Sequence, residues 1–227
     1  MSTSSLTRVL ETELIDTADE AQCYDAMDHS IVNARFVADF LAEHGSSRGD
    51  WYIDVGTGTA LIPLVLAMAD RTARIKALDA AAHMLEIADK HIKKAGVSDR
   101  VKLVRHDAKS IAFTDAQFEA VISNSIVHHI PKPEIAIGEM VRLVAPGGTL
   151  FVRDLARPVD KHRLDSIVNR YADGAPAIAR AMFADSLNAA LTTDEVAEIL
   201  EQYGLPRTAV AMTSDRHWTI VWRCPAG

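Results

Sequence analysis

The sequence predicts an α/β protein built on an open, doubly wound, largely parallel sheet. Three observations carry that reading. An apolar strand runs through a glycine turn straight into a helix at residues 51–67, written WYIDVGTGTALIPLVLA. Further short apolar stretches follow, alternating with helical patterns, and each stops at a polar residue. Residues 208–212 and 218–222 then read as two strands joined by TSDRH, short enough for a hairpin.

Each element has its own signal. Trp51, Tyr52, Ile53 and Val55 are aromatic or β-branched, as a central strand requires, and Asp54 lies where its carboxyl end emerges. Gly56 and Gly58 allow a tight turn and a close approach of backbone to a ligand. From Thr59 the apolar spacing is helical, and Pro63 fits the first turn of a helix starting there. Ahead of this strand, residues 1–10 read as a loosely held terminus. Thr17 caps a short helix with Glu20 at its third position, and Ile31, Val32, Phe36, Val37, Phe40 and Leu41 form one stripe of a second helix that Gly45 ends. After the first core helix come a strand at 73–78 ending in Asp79, a helix at 81–95 closed by Gly96, and strands at 101–104 and 120–123 ending near Asp107 and Asn124. A helix at 133–144, a Pro146-Gly147-Gly148 turn and a strand at 149–152 exiting at Arg153 and Asp154 complete the core. Helices at 160–173 and 175–190 follow, and a last helix runs from a Thr193 cap to Gly204. The expected organisation is one domain: a helical lid (1–48), a ligand-binding core (50–154), a helical insertion (155–191), and a last helix with the hairpin (192–227).

Composition narrows the function. With 227 residues, 48% of them hydrophobic, the chain can bury a large core, and a formal charge of -7 argues against sequence-independent binding to nucleic acid. Cys23 and Cys224 alone supply neither a zinc cluster nor a disulfide framework, so no metal site is expected. The first residues are polar and no apolar run reaches the roughly 20 residues of a membrane span, so a cytoplasmic protein is expected.

The glycine segment fails the dinucleotide fingerprint, because Leu61 stands where a third glycine is needed. It resembles instead the first motif of the class I S-adenosylmethionine-dependent methyltransferases, with Asp54, Gly56 and Gly58 in place and Ala60 where a third glycine is commoner. Asp79 matches that family's ribose-binding acid, and Asp107 its adenine-binding acid. The run FEAVISNSIVHHIPKPEIAIGEMVRLVAPGGTLFVRDL resembles the family's fourth strand, helix, PGG turn and fifth strand. The resemblance implies a Rossmann-like sheet of seven strands in the order 3-2-1-4-5-7-6, with strand 7 antiparallel. It also implies S-adenosyl-L-methionine as cofactor and S-adenosyl-L-homocysteine as product. The cofactor-binding residues it implies are Tyr24, Asp54, Gly56, Thr57, Gly58, Asp79, Ala80, Met84, Asp107, Ala108, Asn124, Ser125 and His129.

Independently of the family, acids at the ends of parallel strands suit a ligand with hydroxyls and an exocyclic amine. A lone Asp there is more often a turn or capping residue, and a Met at helical spacing more often core. Methyl transfer is mainly positioning, with a base needed only when the nucleophile begins protonated. His128, Asp154 and His217 are the catalytic candidates. Asp154 also has a plainer reading, as the ion-pair partner of Arg153, Arg157 or Arg216. Arg216, Tyr171 and Met182 are expected to bind the acceptor, with Ile178, Phe183 and Leu187 as further apolar residues of the insertion. The same apolar stripe suits a homodimer interface equally well. The NPPY-like stretch of exocyclic-amine methyltransferases is absent, since Asn124 is followed by Ser125, Ile126 and Val127. A small-molecule acceptor is therefore the leading expectation. The alternatives are a protein or RNA methyltransferase, a cofactor-binding interaction protein without catalysis, and a nicotinamide-dependent oxidoreductase.

Overall fold

The computed structural model describes residues 6–11 and 16–226. Among them, strands β1 (Trp51–Val55), β2 (Arg74–Asp79), β3 (Val101–Arg105), β4 (Phe118–Asn124), β5 (Val144–Leu155), β6 (Val210–Met212) and β7 (His217–Arg223) form one sheet in the order β3-β2-β1-β4-β5-β7-β6. Strand β1 pairs in parallel with β2 and β4, β2 with β3, while β6 runs antiparallel to β7. This is the Rossmann-like topology that the sequence leads one to expect. The helices are α1 (Ala18–Asp25), α2 (Ser30–His44), α3 (Leu61–Ala69), α4 (Ala82–Ala95), α5 (Pro133–Leu143), α6 (Lys161–Tyr171), α7 (Ala177–Ala189) and α8 (Thr193–Gln202). None of the described helices is long and apolar enough to cross a membrane.

The chain divides into two compact units, a larger one of residues 14–124, 135–152 and 221–227 and a smaller one of residues 1–13, 125–134 and 153–220. In the larger unit the core is aromatic at its centre. Phe40 meets Tyr52 and Phe151 edge to face at 5.7 Å, and Phe36 meets Phe151 at 5.1 Å. Helix α2 supplies Asn33, Phe36, Val37, Phe40 and His44, one stripe at helical spacing. Burial of each Phe there contributes roughly 1.5–3 kcal/mol. The expected stripe began too early: Ile31 is 81% exposed and Val32 is also exposed. They lie in the first turn of α2, ahead of its first buried residue, Asn33.

Two local corrections concern backbone. Helix α3 starts at Leu61 with Ala60 as its N-cap in the left-handed region at φ 62°. Alanine at this place in the motif carries a backbone cost, because an L-residue there is about 1 kcal/mol less favourable than glycine. The strand expected at 149–152 begins at Val144 and carries the Pro146-Gly147-Gly148 turn within it. Gly148 is obligatory there: a Cβ would stand 2.7 Å from the Ala145 carbonyl oxygen and 2.8 Å from that of Glu119.

Glu119, which the sequence does not single out, anchors the loop before β1. Its buried carboxylate accepts from the Arg48 amide at 2.8 Å, the Asp50 amide at 3.3 Å and the Ser47 hydroxyl at 3.3 Å, and lies 3.2 Å from His44 Nε2. Loss of one partner would leave a buried charge unsatisfied.

In the smaller unit, Leu155, Leu164, Ile167, Val168 and Leu187 form a core, with Phe183 packed against it. Helix α8 is capped by Thr192 in a full capping box with Glu195, one residue before the expected Thr193. The terminus is not loose over its described part. Arg8 donates to the carbonyls of Ala189 at 2.7 Å, Ile130 at 3.0 Å and His128 at 3.3 Å, and the Val9 amide donates to Asn188 at 3.1 Å. The expected loose terminus and helical lid also include residues 1–5 and 12–15, which lie outside the described residues.

Candidate active site

In the larger unit, the glycine turn is bound to the end of β2. The Gly56 and Thr57 amides donate to the Leu78 carbonyl, both at 2.8 Å, and the Gly58 amide donates to Asp79 Oδ2 at 2.7 Å. Asp79 Oδ1 accepts from the Ala81 amide at 2.9 Å. Each carboxylate oxygen retains a lone pair for a ligand hydroxyl. Asp54, at 1% exposure, accepts from the Thr57 hydroxyl on Oδ2 at 2.6 Å, while its Oδ1 is buried without a partner. Burial drives the Asp54 pKa up to about 7, with the neighbouring Asp79 charge adding to the shift. Burial also raises Asp79.

Helix α1 brings Tyr24 to this turn. A Cβ on Gly58 would lie 3.7 Å from Tyr24 Cε1, and the Tyr24 ring stacks on His29 at 4.7 Å. Burial raises the Tyr24 pKa, and the carboxylates of Asp54 and Asp79 raise it further, so the hydroxyl stays neutral and can donate. Buried Thr59 Oγ1 and His29 Nε2 also have no partner. A cationic, hydroxyl-bearing ligand would satisfy this surplus of acceptors beside an open glycine backbone, so the residues fit S-adenosylmethionine. Met84 is buried against Ala21 and Ala81, which makes it a packing residue between α1 and α4. Ala80 is half-buried and accepts from Arg105 through its carbonyl at 3.3 Å. Ala108 and Asn124 are also half-buried. Asp107 is half-exposed, accepts from the Lys109 amide at 2.8 Å and pairs with its ammonium at 3.1 Å. An adenine amine would share Asp107 with Lys109.

In the smaller unit, Asp154 is fully buried and saturated. Its Oδ2 accepts from the Val127 amide at 2.6 Å and the His128 amide at 3.3 Å, and its Oδ1 from the Leu155 amide and His128 Nδ1 at 2.6 and 2.5 Å. The pairing of Asp154 with Arg153, Arg157 or Arg216 is therefore overturned in favour of His128, and no oxygen is left over to grip an acceptor. Burial alone would lower the His128 pKa, but the Asp154 charge outweighs it, and the shift is upward. Ser125 holds the left-handed region at φ 58° and its amide donates to the Arg153 carbonyl at 2.9 Å. His129 lies beside Glu11, its Nδ1 being 3.0 Å from Oε1. Sequence reasoning missed Glu11, because nothing local in a polar terminus marks one acid from the next.

Around the hairpin, Arg216 lies over the Tyr171 ring, its guanidinium carbon 3.5 Å from the centroid, and the Tyr171 hydroxyl donates to Asp215 Oδ1 at 2.8 Å. Two of the three expected acceptor-binding residues are thus brought together. Met182 stands 54% exposed and Ile178 also faces solvent on α7. His217 Nδ1 is 2.9 Å from the Ser214 hydroxyl, and burial, aided by the Arg216 charge, lowers its pKa to about 4.

Sheet order, the acid-ended strands and the glycine turn define the class: a Rossmann-like domain of the methyltransferase type. Residues 53–152 match the family model described as a methyltransferase domain. This match bears out, for that segment, the resemblance to the class I S-adenosylmethionine-dependent methyltransferase family. Similar proteins include the release factor glutamine methyltransferase of Chlorobaculum tepidum, 36% identical over 115 residues, which are 46% of this chain and 38% of that protein. The ubiquinone biosynthesis O-methyltransferase of Chromobacterium violaceum is 30% identical over 133 residues, 59% of this chain and 56% of that protein. The chain thus spans about half the length, or less, of these curated relatives. Among solved structures, a SAM-dependent methyltransferase from Aquifex aeolicus superposes with a TM-score of 0.66 at 18% identity, over 92% of this chain and 99% of that one, a likeness of fold.

Proposed function

We propose that this chain is an S-adenosylmethionine-dependent methyltransferase acting on a small-molecule acceptor. The observation that carries the reading is the Gly58 amide bonded to Asp79 Oδ2 at 2.7 Å, beside the unpartnered Asp54 Oδ1. Bound cofactor supplies a methyl group that already carries its leaving group. Asp79 offers acceptors for ribose hydroxyls, the turn at Gly56 and Gly58 leaves room for the amino-acid portion, and Asp54 and Tyr24 meet its charged end.

An acceptor hydroxyl must lose a proton as its oxygen is methylated. His128 is the proposed receiver through Nε2, the nitrogen that Asp154 on Nδ1 leaves unprotonated in the neutral ring, with the Glu11 carboxylate 3.5 Å away to stabilise the imidazolium formed. His217, neutral at pH 7, and Arg216 are proposed to orient the acceptor. The O-methyltransferase relative of ubiquinone biosynthesis supports an oxygen nucleophile on a small molecule. A glutamine acceptor, as named for the other relative, is disfavoured because the NPPY-like stretch is absent, Asn124 being followed here by Ser125, Ile126 and Val127. The test is calorimetry with S-adenosylmethionine, followed by methyl-transfer assays on phenolic metabolites, peptides and RNA. Binding with transfer to the phenols alone supports the proposal. Transfer to peptide or RNA only, or absence of cofactor binding, overturns it.

A further inference from the structure

Three heteroatoms converge in the smaller unit, two of them buried without a hydrogen-bond partner. Glu11 Oε1 lies 3.0 Å from His129 Nδ1 and 3.5 Å from His128 Nε2, and the three ligand atoms lie within 4.8 Å of one another. Glu11 Oε1 and His129 Nδ1 are buried, and neither has a hydrogen bond of acceptable geometry. The His128 Nδ1–H is directed at Asp154 Oδ1, so whenever the ring is neutral its Nε2 lone pair faces the Glu11 carboxylate. Lone pairs facing one another need a cation between them. One proton can bridge one such pair, whereas a metal ion satisfies all three atoms at once.

The geometry points to a binding site for a single zinc-class divalent cation on Glu11 Oε1, His128 Nε2 and His129 Nδ1. Ligand bonds of about 2.0–2.2 Å in a tetrahedral arrangement put neighbouring donors roughly 3.3 Å apart, which the 3.0 and 3.5 Å separations bracket. Two imidazoles and one carboxylate form a borderline donor set suited to zinc or cobalt rather than to calcium or magnesium. The supporting shell is already built. Asp154 fixes the His128 ring through Nδ1, the carboxylate–histidine arrangement that orients metal-bound imidazoles, and the Ser186 hydroxyl lies 3.3 Å from Glu11 Oε2. Arg8 and the Val9 amide hold the segment that carries Glu11. A fourth position is left for water or another oxygen ligand. The site departs from the expectation of no metal, which weighed the two cysteines but not a distant glutamate joining two adjacent histidines. It does not depend on the proposed function, although a cation on Nε2 would keep that atom from taking a proton.

The experiment uses the full chain, stripped with a chelator and dialysed, with neither cofactor nor acceptor present. Zn(II) is titrated by calorimetry, and Co(II) by the visible absorption that four-coordinate cobalt displays. One equivalent is expected to bind, and Glu11→Gln and His129→Ala are each expected to weaken it at least about 10-fold with unchanged circular dichroism. Asp154→Asn, which leaves all three ligands in place, is expected to weaken it by about 10–100-fold. No saturable binding at one equivalent overturns the site. So does binding that persists unchanged in both Glu11→Gln and His129→Ala, which would put the ion on surface pairs such as His91 with Asp25. If His129→Ala fails to fold, Glu11→Gln decides alone.

Discussion

Gly58 and Asp79 are joined by a 2.7 Å hydrogen bond from amide to carboxylate, so the acid expected to hold ribose also holds the turn. Asp79→Ala removes both roles and is expected to cost about 2–4 kcal/mol of cofactor affinity, the scale for deleting a charged acceptor from its donors. Asp79→Asn keeps one carbonyl oxygen and should lose less. Calorimetric titration with S-adenosylmethionine checks this; a folded Asp79→Ala protein with the wild-type dissociation constant would sink the assignment.

Asp54 makes cofactor binding depend on pH. Its folded pKa is raised to about 7 from 3.8, chiefly by burial. The folded protein therefore keeps this proton up to near neutrality while the unfolded chain loses it in acid. Its contribution to stability is full below pH 3.8 and is lost as pH rises toward 7. A cationic ligand beside it favours the carboxylate and expels the proton. Affinity should thus rise with pH between 6 and 8, with proton release visible as a buffer-dependent binding enthalpy, and Asp54→Asn should abolish both effects.

His217 acts on stability in the acid range. Burial, with the Arg216 charge second, depresses its pKa from 6.5 to about 4. A depressed histidine contributes stability above 6.5 that is lost as pH falls through the window down to 4, because the unfolded chain takes the proton first. His217→Gln should lose less melting temperature between pH 7 and pH 5 than the wild type does. Equal losses in the two proteins would remove His217 from the acid response.

The stack of Arg216 on Tyr171 at 3.5 Å fixes the hairpin's cation. Such contacts are worth about 0.5–2 kcal/mol. Tyr171→Ala and Arg216→Ala should leave cofactor affinity unchanged while lowering turnover or changing acceptor preference. Mass in solution is to be measured alongside. Monomers with normal turnover, formed from a larger wild-type species, would make the insertion an interface and remove the acceptor role.

Helix α1 is clipped to α4 by His91 Nε2, 2.9 Å from Asp25 Oδ1, and carries Tyr24 to the glycine turn. Hydrogen exchange across residues 18–31 should slow when cofactor or its product binds. Identical exchange with and without ligand would show that α1 is ordinary packing and not a lid.

The sequence by itself determined what is local or periodic. Residues 51–67 declare strand, turn and helix through β-branched and aromatic residues, paired glycines and helical spacing, and the capping signal of Thr17 stands where a helix begins. The acids at strand ends were legible because a strand's apolar run stops where its backbone leaves the core. Tertiary structure alone decided the partners. Asp154 could be assigned to any of three arginines until β5 and the turn at Val127–His129 placed His128 against it. Ile31 and Val32 fit an apolar stripe by period, yet only the position of the sheet decides how much of that stripe is covered. Ala60 carries no sign of its left-handed backbone, since the surrounding turn imposes it. Glu11 and Glu119 lie 117 and 75 residues from His128 and His44, respectively. No window of sequence joins residues so far apart; burial and the long-range fold do.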